Sequence, residues 1–519
     1  MLAAPRRDGT AASASAGAGP GGRRGAGAAL GKGSAIYAVG GALNKAIGFL
    51  LLPIYTHHLT DQAYGAVGVV VVIATFTSML FALAMGSAVN REFHAFAGRV
   101  EERREFVGSV LTFVIAVSLL ASLALLLVGP WAFGPLLGEI GFWPLMAMGL
   151  AAAALQPFYD VLLIVLQAAE RPWLYAVLSV GQVLLRTALA IAFVVGLDFQ
   201  AEGVIGAQAI AAAAVFAAGG WLGRREARYC LRWRHVKTAL LYALPLVPHT
   251  LVWPARLIVD RLFLLHTVGQ GAAGLFHLAF QFGALIQVVC VACARALTPM
   301  LMRALHAGDH ARLENLRNLG VTATVGFCWT ATVVSLFAPE VIRALTPPEF
   351  HGAAIGVPFL AFTFVALGIY SILAVSLLFD PRLARRVSVC TVASLPVGIA
   401  LNALLVPRLG VSGAALAALL TQVGVVMAVA ALARAQNLLR WQHGRLATLF
   451  AVAFAVALWP AVDPWSGTWL GAGIKGLGAL GLLAGLSAIA WGSPAFLVRE
   501  VQRLRLGATA GAAGDVPPR

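Results

Sequence analysis

The chain has 519 residues, 60% of them hydrophobic and only 11% charged, and its mean hydropathy is +0.87. A soluble domain carries about 25% charged residues to keep its surface in water, so this composition excludes a string of water-facing domains. A net charge of +16 and a pI near 10.5 would point to nucleic acid in a soluble protein. Here the basic residues fall between long apolar runs, and a membrane accounts for them.

Residues 1–33 are Ala, Gly, Ser and Arg with almost no large apolar side chain. They lack the apolar segment of a signal peptide and bury too little to fold, which predicts a disordered cytoplasmic tail. A bilayer core takes about 20 apolar residues per helix. Fourteen candidate spans follow, at 34–55, 63–89, 107–129, 142–168, 174–196, 203–222, 239–265, 273–299, 318–338, 353–379, 387–406, 411–433, 446–462 and 469–491. Runs such as Val67–Ile73 do not alternate as barrel strands do. The expected class is an all-α polytopic membrane protein of about 14 transmembrane helices.

Lys and Arg set the orientation. With the N-terminus in the cytoplasm, inner segments hold 29 of the 37 basic residues, and outer loops hold only Arg343 and Arg408. Both termini are therefore expected in the cytoplasm. The chain also repeats itself. Gly203–Ala207 opens span 6 as Gly410–Ala414 opens span 12, and Ala63-Tyr64-Gly65 opens span 2 as Ala272-Ala273-Gly274 opens span 8. Two six-helix lobes in parallel repeat are expected at 34–222 and 239–433. A basic cytoplasmic linker at 223–238 joins them, with an appendage of two helices at 446–491 and a cytoplasmic tail at 492–519. Transporters built this way place substrate between their halves near the midplane.

A charged side chain at the bilayer centre costs about 2.5–3.5 kcal/mol on insertion scales, so embedded charges are functional candidates. The set is Lys45, Arg186, Arg256, Arg261, Arg295 and Lys475 against Asp160 and Asp260. Unpaired cations repel one another in a low dielectric, which predicts a hydrated cationic cavity for an anionic ligand. Lys45, Arg186 and Arg256 are deep in their spans; Lys475 and Arg295 are near enough to an end to snorkel. The planar fork of Arg suits bidentate binding of phosphate. Lys45, Arg186, Arg256, Arg261 and Arg295 are accordingly the candidate substrate-binding residues.

Span 7 is kinked by expectation, because Pro245, Pro248 and Pro254 each remove a backbone donor. Arg256 and Asp260 are four apart on one face, so Asp260 is expected to hold Arg256 while Arg261, about 100° around the helix, meets solvent or ligand. A self-contained ion pair is the plainer alternative. Asp160 is either a coupling-ion or proton site or the partner of Arg186. His249 and His277 read as packing residues, and Asn44, Asn90 and Asn402 as interhelical hydrogen-bonders.

No nucleotide, metal or hydrolase motif is present, so no enzyme activity, metal or cofactor is expected and transport would run on a proton or sodium gradient. His57 and His58 are too little for a metal site. Cys290-x-x-Cys293, one turn inside an apolar helix, reads as core rather than redox chemistry.

The segment Leu52-Pro53-Ile54-Tyr55-Thr56, followed by Leu59 and Tyr64-Gly65, resembles the L-P-x-Y-T-x-x-L-(x)n-Y-G opening of polysaccharide-repeat flippases. These are Wzx-like members of the multidrug/oligosaccharidyl-lipid/polysaccharide (MOP) exporter superfamily. The second half carries the companion residues Leu244-Pro245, Asp260-Arg261, Gly274 and Thr298-Pro299, then Asn402, Pro407, Gly410 and Gly413-Ala414. The resemblance covers about 34–433, and the last two spans match longer members. It departs at Leu275-Phe276, where members carry an aromatic directly after the glycine.

The resemblance implies translocation of an undecaprenyl-diphosphate-linked oligosaccharide from the cytoplasmic to the outer leaflet of a bacterial inner membrane. It implies alternating access between the lobes, driven by an ion gradient, in lipopolysaccharide or exopolysaccharide biosynthesis. It carries over Tyr64, Gly65, Arg91, Asp260, Arg261 and Pro299, most of which shape helix ends; with Pro245 and Pro254 they form the structural and gating set. Asp160 and Asp260 are the ion-coupling candidates. The implied partners are the anionic lipid-linked oligosaccharide, membrane lipid, and the polymerase and glycosyltransferases of the same pathway, with no nucleic acid. Two rivals remain. A MATE-type multidrug antiporter would need an acidic site for cations, and a membrane-embedded glycosyltransferase or polymer ligase would need catalytic carboxylates or a large outer loop.

Overall fold

The computed structural model describes residues 47–96, 98–378, 381–436, 442–459 and 469–491. Lys45, Asn44, the two tails and the start of the first span lie outside these residues. Among the described residues there are fifteen α-helices and no strand: α1 (Leu52–His58), α2 (Asp61–Ala82), α3 (Met85–Glu92), α4 (Val100–Leu137), α5 (Leu145–Ala168), α6 (Pro172–Ile191), α7 (Ala201–Leu222), α8 (Trp233–Ala243), α9 (Val247–Thr267), α10 (Gln270–Ala307), α11 (His310–Leu345), α12 (Val357–Leu378), α13 (Pro381–Gln436), α14 (His443–Ala457) and α15 (Trp469–Trp491). Among the described residues ten helices are long and apolar enough to cross a membrane. The protein is thus an all-α polytopic membrane protein, as the apolar runs predicted.

Local chemistry sets several boundaries. The Thr60 hydroxyl caps α2 by accepting from Ala63 N at 3.1 Å, and Asp309 caps α11 by accepting from Arg312 N at 3.0 Å. These satisfy donors that a helix start leaves free. Leu83 and Ala84, both left-handed, split the second expected span into α2 and α3. Gly410, at φ +56°, bends α13 where spans 11 and 12 were expected to separate. Span 7 is also divided: α8 ends at Ala243, Leu244-Pro245-Leu246 forms a 3-10 turn, and α9 begins with Pro248 in its first turn.

Three apolar cores hold the bundle. One packs Met85, Phe106, Leu162 and Leu178 of the first half with Ala239 and Ala243 of α8. A second unites both halves through Tyr64, Val70, Leu150, Phe276 and Phe350. A third joins Phe327, Phe362 and Phe364 to Leu449 of α14 and Leu486 of α15. Lipid is as apolar as these side chains, so their gain is close packing rather than escape from water.

The basic linker is strapped to the end of the first half. Glu105 accepts from Arg228 Nη1 at 3.1 Å and Arg232 Nη2 at 2.8 Å, and Arg171 pairs with Glu226 at 3.1 Å. Gly108 leaves room for the Arg228 carbonyl, which a side chain there would strike. The His235 ring of α8 then meets Phe96 and Phe106 edge-on, and the Arg91 guanidinium lies 4.5 Å over the Tyr242 ring. Toward the other end of the bundle the halves touch directly, α2 against α9 and α10.

Candidate functional site

The second half contributes a buried polar network centred on α9. Arg256 donates through Nη1 to Gln422 Oε1 at 2.8 Å and through Nη2 to the Ala418 carbonyl at 3.2 Å. Asp260 Oδ1 accepts from Asn402 Nδ2 at 2.9 Å. The expected clasp of Arg256 by Asp260 is therefore corrected: among the described residues no ion pair joins them, and each turns to α13. The distant amides win because they bring hydrogen bonds to groups that lipid cannot solvate.

Arg261 requires a larger correction. It is 1% exposed and meets neither solvent nor an open cavity. Its guanidinium lies 5.4 Å over Phe276 and 5.1 Å over Phe280, donates to the Leu257 carbonyl at 3.1 Å, and reaches His277 Nδ1 at 3.4 Å. Phe276 and Phe280 are one turn apart on α10, so the flat cation sits on two ring faces. This places Arg261 in the seal between the halves, beside Tyr64, whose ring packs at 5.0 Å from His277 and edge-on to Phe350 at 5.7 Å.

Arg256 and Arg295 do reach open space. Arg256 lines a recess of about 200 Å³ with His249, Trp253, Gln287 and Tyr370. Arg295 is exposed and lines an adjoining recess of about 430 Å³ with Gln287, Thr298 and Pro299. Gln287 and Leu367 border both recesses. Pro299, inside α10, is thus part of a wall, whereas Pro254 is buried in α9 and Pro245 occupies the turn before it. Arg91, at the end of α3, pairs with Glu92 at 3.5 Å beneath its contact with Tyr242. Gly65 is in backbone contact with Gln270 and Gly274 of α10.

The first half contributes Arg186 on α6 and Asp160 on α5, and they do not pair. Asp160 is exposed, and its Oδ1 accepts from Gln156 Nε2 at 2.9 Å; Gln156 Oε1 accepts from Gln182 Nε2 at 3.1 Å. Arg186 is within electrostatic reach of Tyr55 and Tyr159. Lys45 lies outside the described residues.

Lys475 alters the charge balance. Its Nζ is 2.5 Å from Glu340 Oε1, and its side chain is 2% exposed. Glu340 lies just past the expected end of the span at 318–338, but α11 runs through it to Leu345. One supposedly unmatched cation is therefore neutralised. Among the described residues no cluster of three or more His, Cys, Asp or Glu could hold a metal, and all five cysteines are free.

Residues 30–305 match the family described as polysaccharide biosynthesis protein. An Lsg locus protein of Haemophilus influenzae is 23% identical over 285 residues, which cover 53% of this chain and 66%, just under two thirds, of that relative. Among solved structures, the lipid II flippase MurJ in an inward closed conformation gives a TM-score of 0.66 at 13% identity, over 87% of this chain and 98% of that one. An inward-facing multidrug resistance MATE family transporter of the MOP superfamily gives 0.61 at 15% identity, over 75% and 96%. At such identities the likeness is one of fold.

Proposed function

The chain belongs to the polysaccharide biosynthesis protein family, and from that premise we propose that it is a flippase. Its cargo is an undecaprenyl-diphosphate-linked oligosaccharide, carried from the cytoplasmic to the outer leaflet of a bacterial inner membrane, with both termini in the cytoplasm. The observation that carries this reading is the pair of adjoining recesses bordered by Arg256 and Arg295. Among the described residues neither cation has a carboxylate within ion-pair distance. A diphosphate bridging the two would replace water with charge-assisted hydrogen bonds, each worth about 1.5–3 kcal/mol.

Arg186 meets the same headgroup from the first half, and Lys45 joins it from the first span. Arg261 has no direct part in this contact; its place is in the seal with Tyr64 and Gly65. Alternation would open that seal while Asp260 or Asp160 exchanges a proton or sodium ion, coupling movement to the gradient. The polymer's glycosyltransferases would supply the lipid-linked cargo, and its polymerase would consume it.

The test is surface polysaccharide in cells carrying Arg256→Ala, Arg295→Ala or Arg186→Ala at unchanged membrane levels of the protein. Loss of one charge-assisted contact predicts a fall of about tenfold or more. Normal polymer in all three variants rejects the cationic cavity.

A further inference from the structure

Two rows of polar side chains lie in the first half, and of their four members only Arg186 is assigned to the diphosphate. Gln156 and Asp160 are one turn apart on α5, and Gln182 and Arg186 are one turn apart on α6. The rows are joined in one direction: Gln182 Nε2 donates to Gln156 Oε1 at 3.1 Å, and Gln156 Nε2 donates to Asp160 Oδ1 at 2.9 Å. Each amide spends one N–H on this chain. The second N–H of each, Gln182 Oε1 and Asp160 Oδ2 remain, so donors and acceptors alternate across a fixed plate.

The plate faces away from lipid. On α6 the exposed large apolar residues are Trp173 at 76%, Val177 at 44% and Leu184 at 53%. Leu184 precedes Arg186 and follows Gln182 by two positions, which puts the polar row about 160° from it. A face carrying a carboxylate, a guanidinium and two amides is too costly to present to hydrocarbon, yet Asp160 is exposed. The plate therefore borders water within the membrane-spanning bundle. Its formal charges cancel, one carboxylate against one guanidinium, and Asp160 would repel a diphosphate placed directly on it.

We propose that Gln156, Asp160 and Gln182 form the subsite for the first sugar of the cargo, a neutral ring whose neighbouring hydroxyls each donate and accept. This rests on the flippase reading and deepens it: Arg256 and Arg295 of the second half, with Arg186, grip the diphosphate, and Gln156, Asp160 and Gln182 of the first half read the glycan. Asp160 orients Gln156, which orients Gln182, so the two amides are held before cargo arrives. A pocket built to hydrogen-bond hydroxyls discriminates against ligands lacking them, because its own polar groups are then left unpaired.

The test uses the purified full chain in nanodiscs and four probes: undecaprenyl diphosphate, and the same lipid bearing a single N-acetylglucosamine, galactose or glucose. The parent should bind at least one sugar-bearing lipid about tenfold more tightly than the bare diphosphate, the gain from one or two net hydrogen bonds. Gln182→Ala and Gln156→Ala should each bring that preference to within about twofold while leaving bare-diphosphate affinity unchanged, which also shows that the variants are folded. Asp160→Asn, which keeps an acceptor, should retain most of it. Arg256→Ala should weaken all four probes by a similar factor. A parent that binds bare diphosphate with no preference for any of the sugars, or glutamine variants that keep the preference or weaken all probes alike, would overturn the subsite and leave the flippase reading standing. A parent that binds none of the four would overturn the flippase reading itself.

Discussion

Gly65 of α2 and Gly274 of α10 lie backbone to backbone. A Cβ on Gly65 would strike the Gln270 carbonyl and come within 2.9 Å of Gly274 N, and one on Gly274 would strike the Asp61 carbonyl and come within 3.1 Å of Gly65 N. The Ala-x-Gly triplets that recur in the two halves are thus the surfaces that meet. Small residues permit such close approach of helices in a membrane. Gly65→Val or Gly274→Val should open this contact while leaving each half folded. Cysteines replacing Asp61 and Gly271, in a background without the native five, should form a disulfide readily, and Gly65→Val should cut its yield about tenfold. An undiminished yield would show that the glycines do not set the approach.

The pair of Lys475 and Glu340 is held where water has little access, with side-chain exposures of 2% and 21%. Removing one member strands the other, which costs about 3–5 kcal/mol for a buried pair. Lys475→Met should therefore lower the melting temperature clearly, and adding Glu340→Gln should recover most of the loss. If the single variant melts with the parent, the pair contributes nothing to holding α15 against α11.

His235 sits in α8, outside the spans, with its ring against Phe96 and Phe106. Burial lowers its pKa from the ordinary 6.5, Arg232 and Arg234 lower it further, and Glu105 and Glu102 oppose them. The undocked imidazole therefore takes up a proton more readily than the docked one. Docking is at full strength above about pH 6.5 and weakens as the pH falls toward the lowered docked value. Amide protection over 233–243, taken relative to the intrinsic exchange rate at each pH, should be lower at pH 5.5 than at pH 8 in the parent, and equal at both in His235→Phe. A parent with no such difference would show that the ring does not report on docking.

The helical class was legible because 20-residue apolar runs have few other uses, and the proline-marked interruption near Pro245 was legible from the missing donor alone. The break at Gly410 was legible too, between the spans at 387–406 and 411–433, whereas the split at Leu83 and Ala84 was not, since two left-handed residues do not alter a hydropathy average. At the site, spacing along α9 correctly put Arg256 and Asp260 on one helix but chose the wrong partners. The groups that engage them, Asn402 and Gln422, are 142 and 166 positions away. Arg261 was misplaced for a related reason: nothing in its own helix announces Phe276 and Phe280 on the next one. Glu340 escapes the count of embedded charges because the apolar run ends at 338, while the helix itself continues to Leu345.

Because α8 is fastened to the first half by Phe96, Phe106 and Arg91, the free leash between the two halves is not the long basic stretch at all. It is Leu244-Pro245-Leu246, about 10 Å of chain at full extension. Under the alternating access proposed above, the halves would tilt about that short tether without drifting apart at this end, so the stroke would be a pivot with its widest excursion at the far rim.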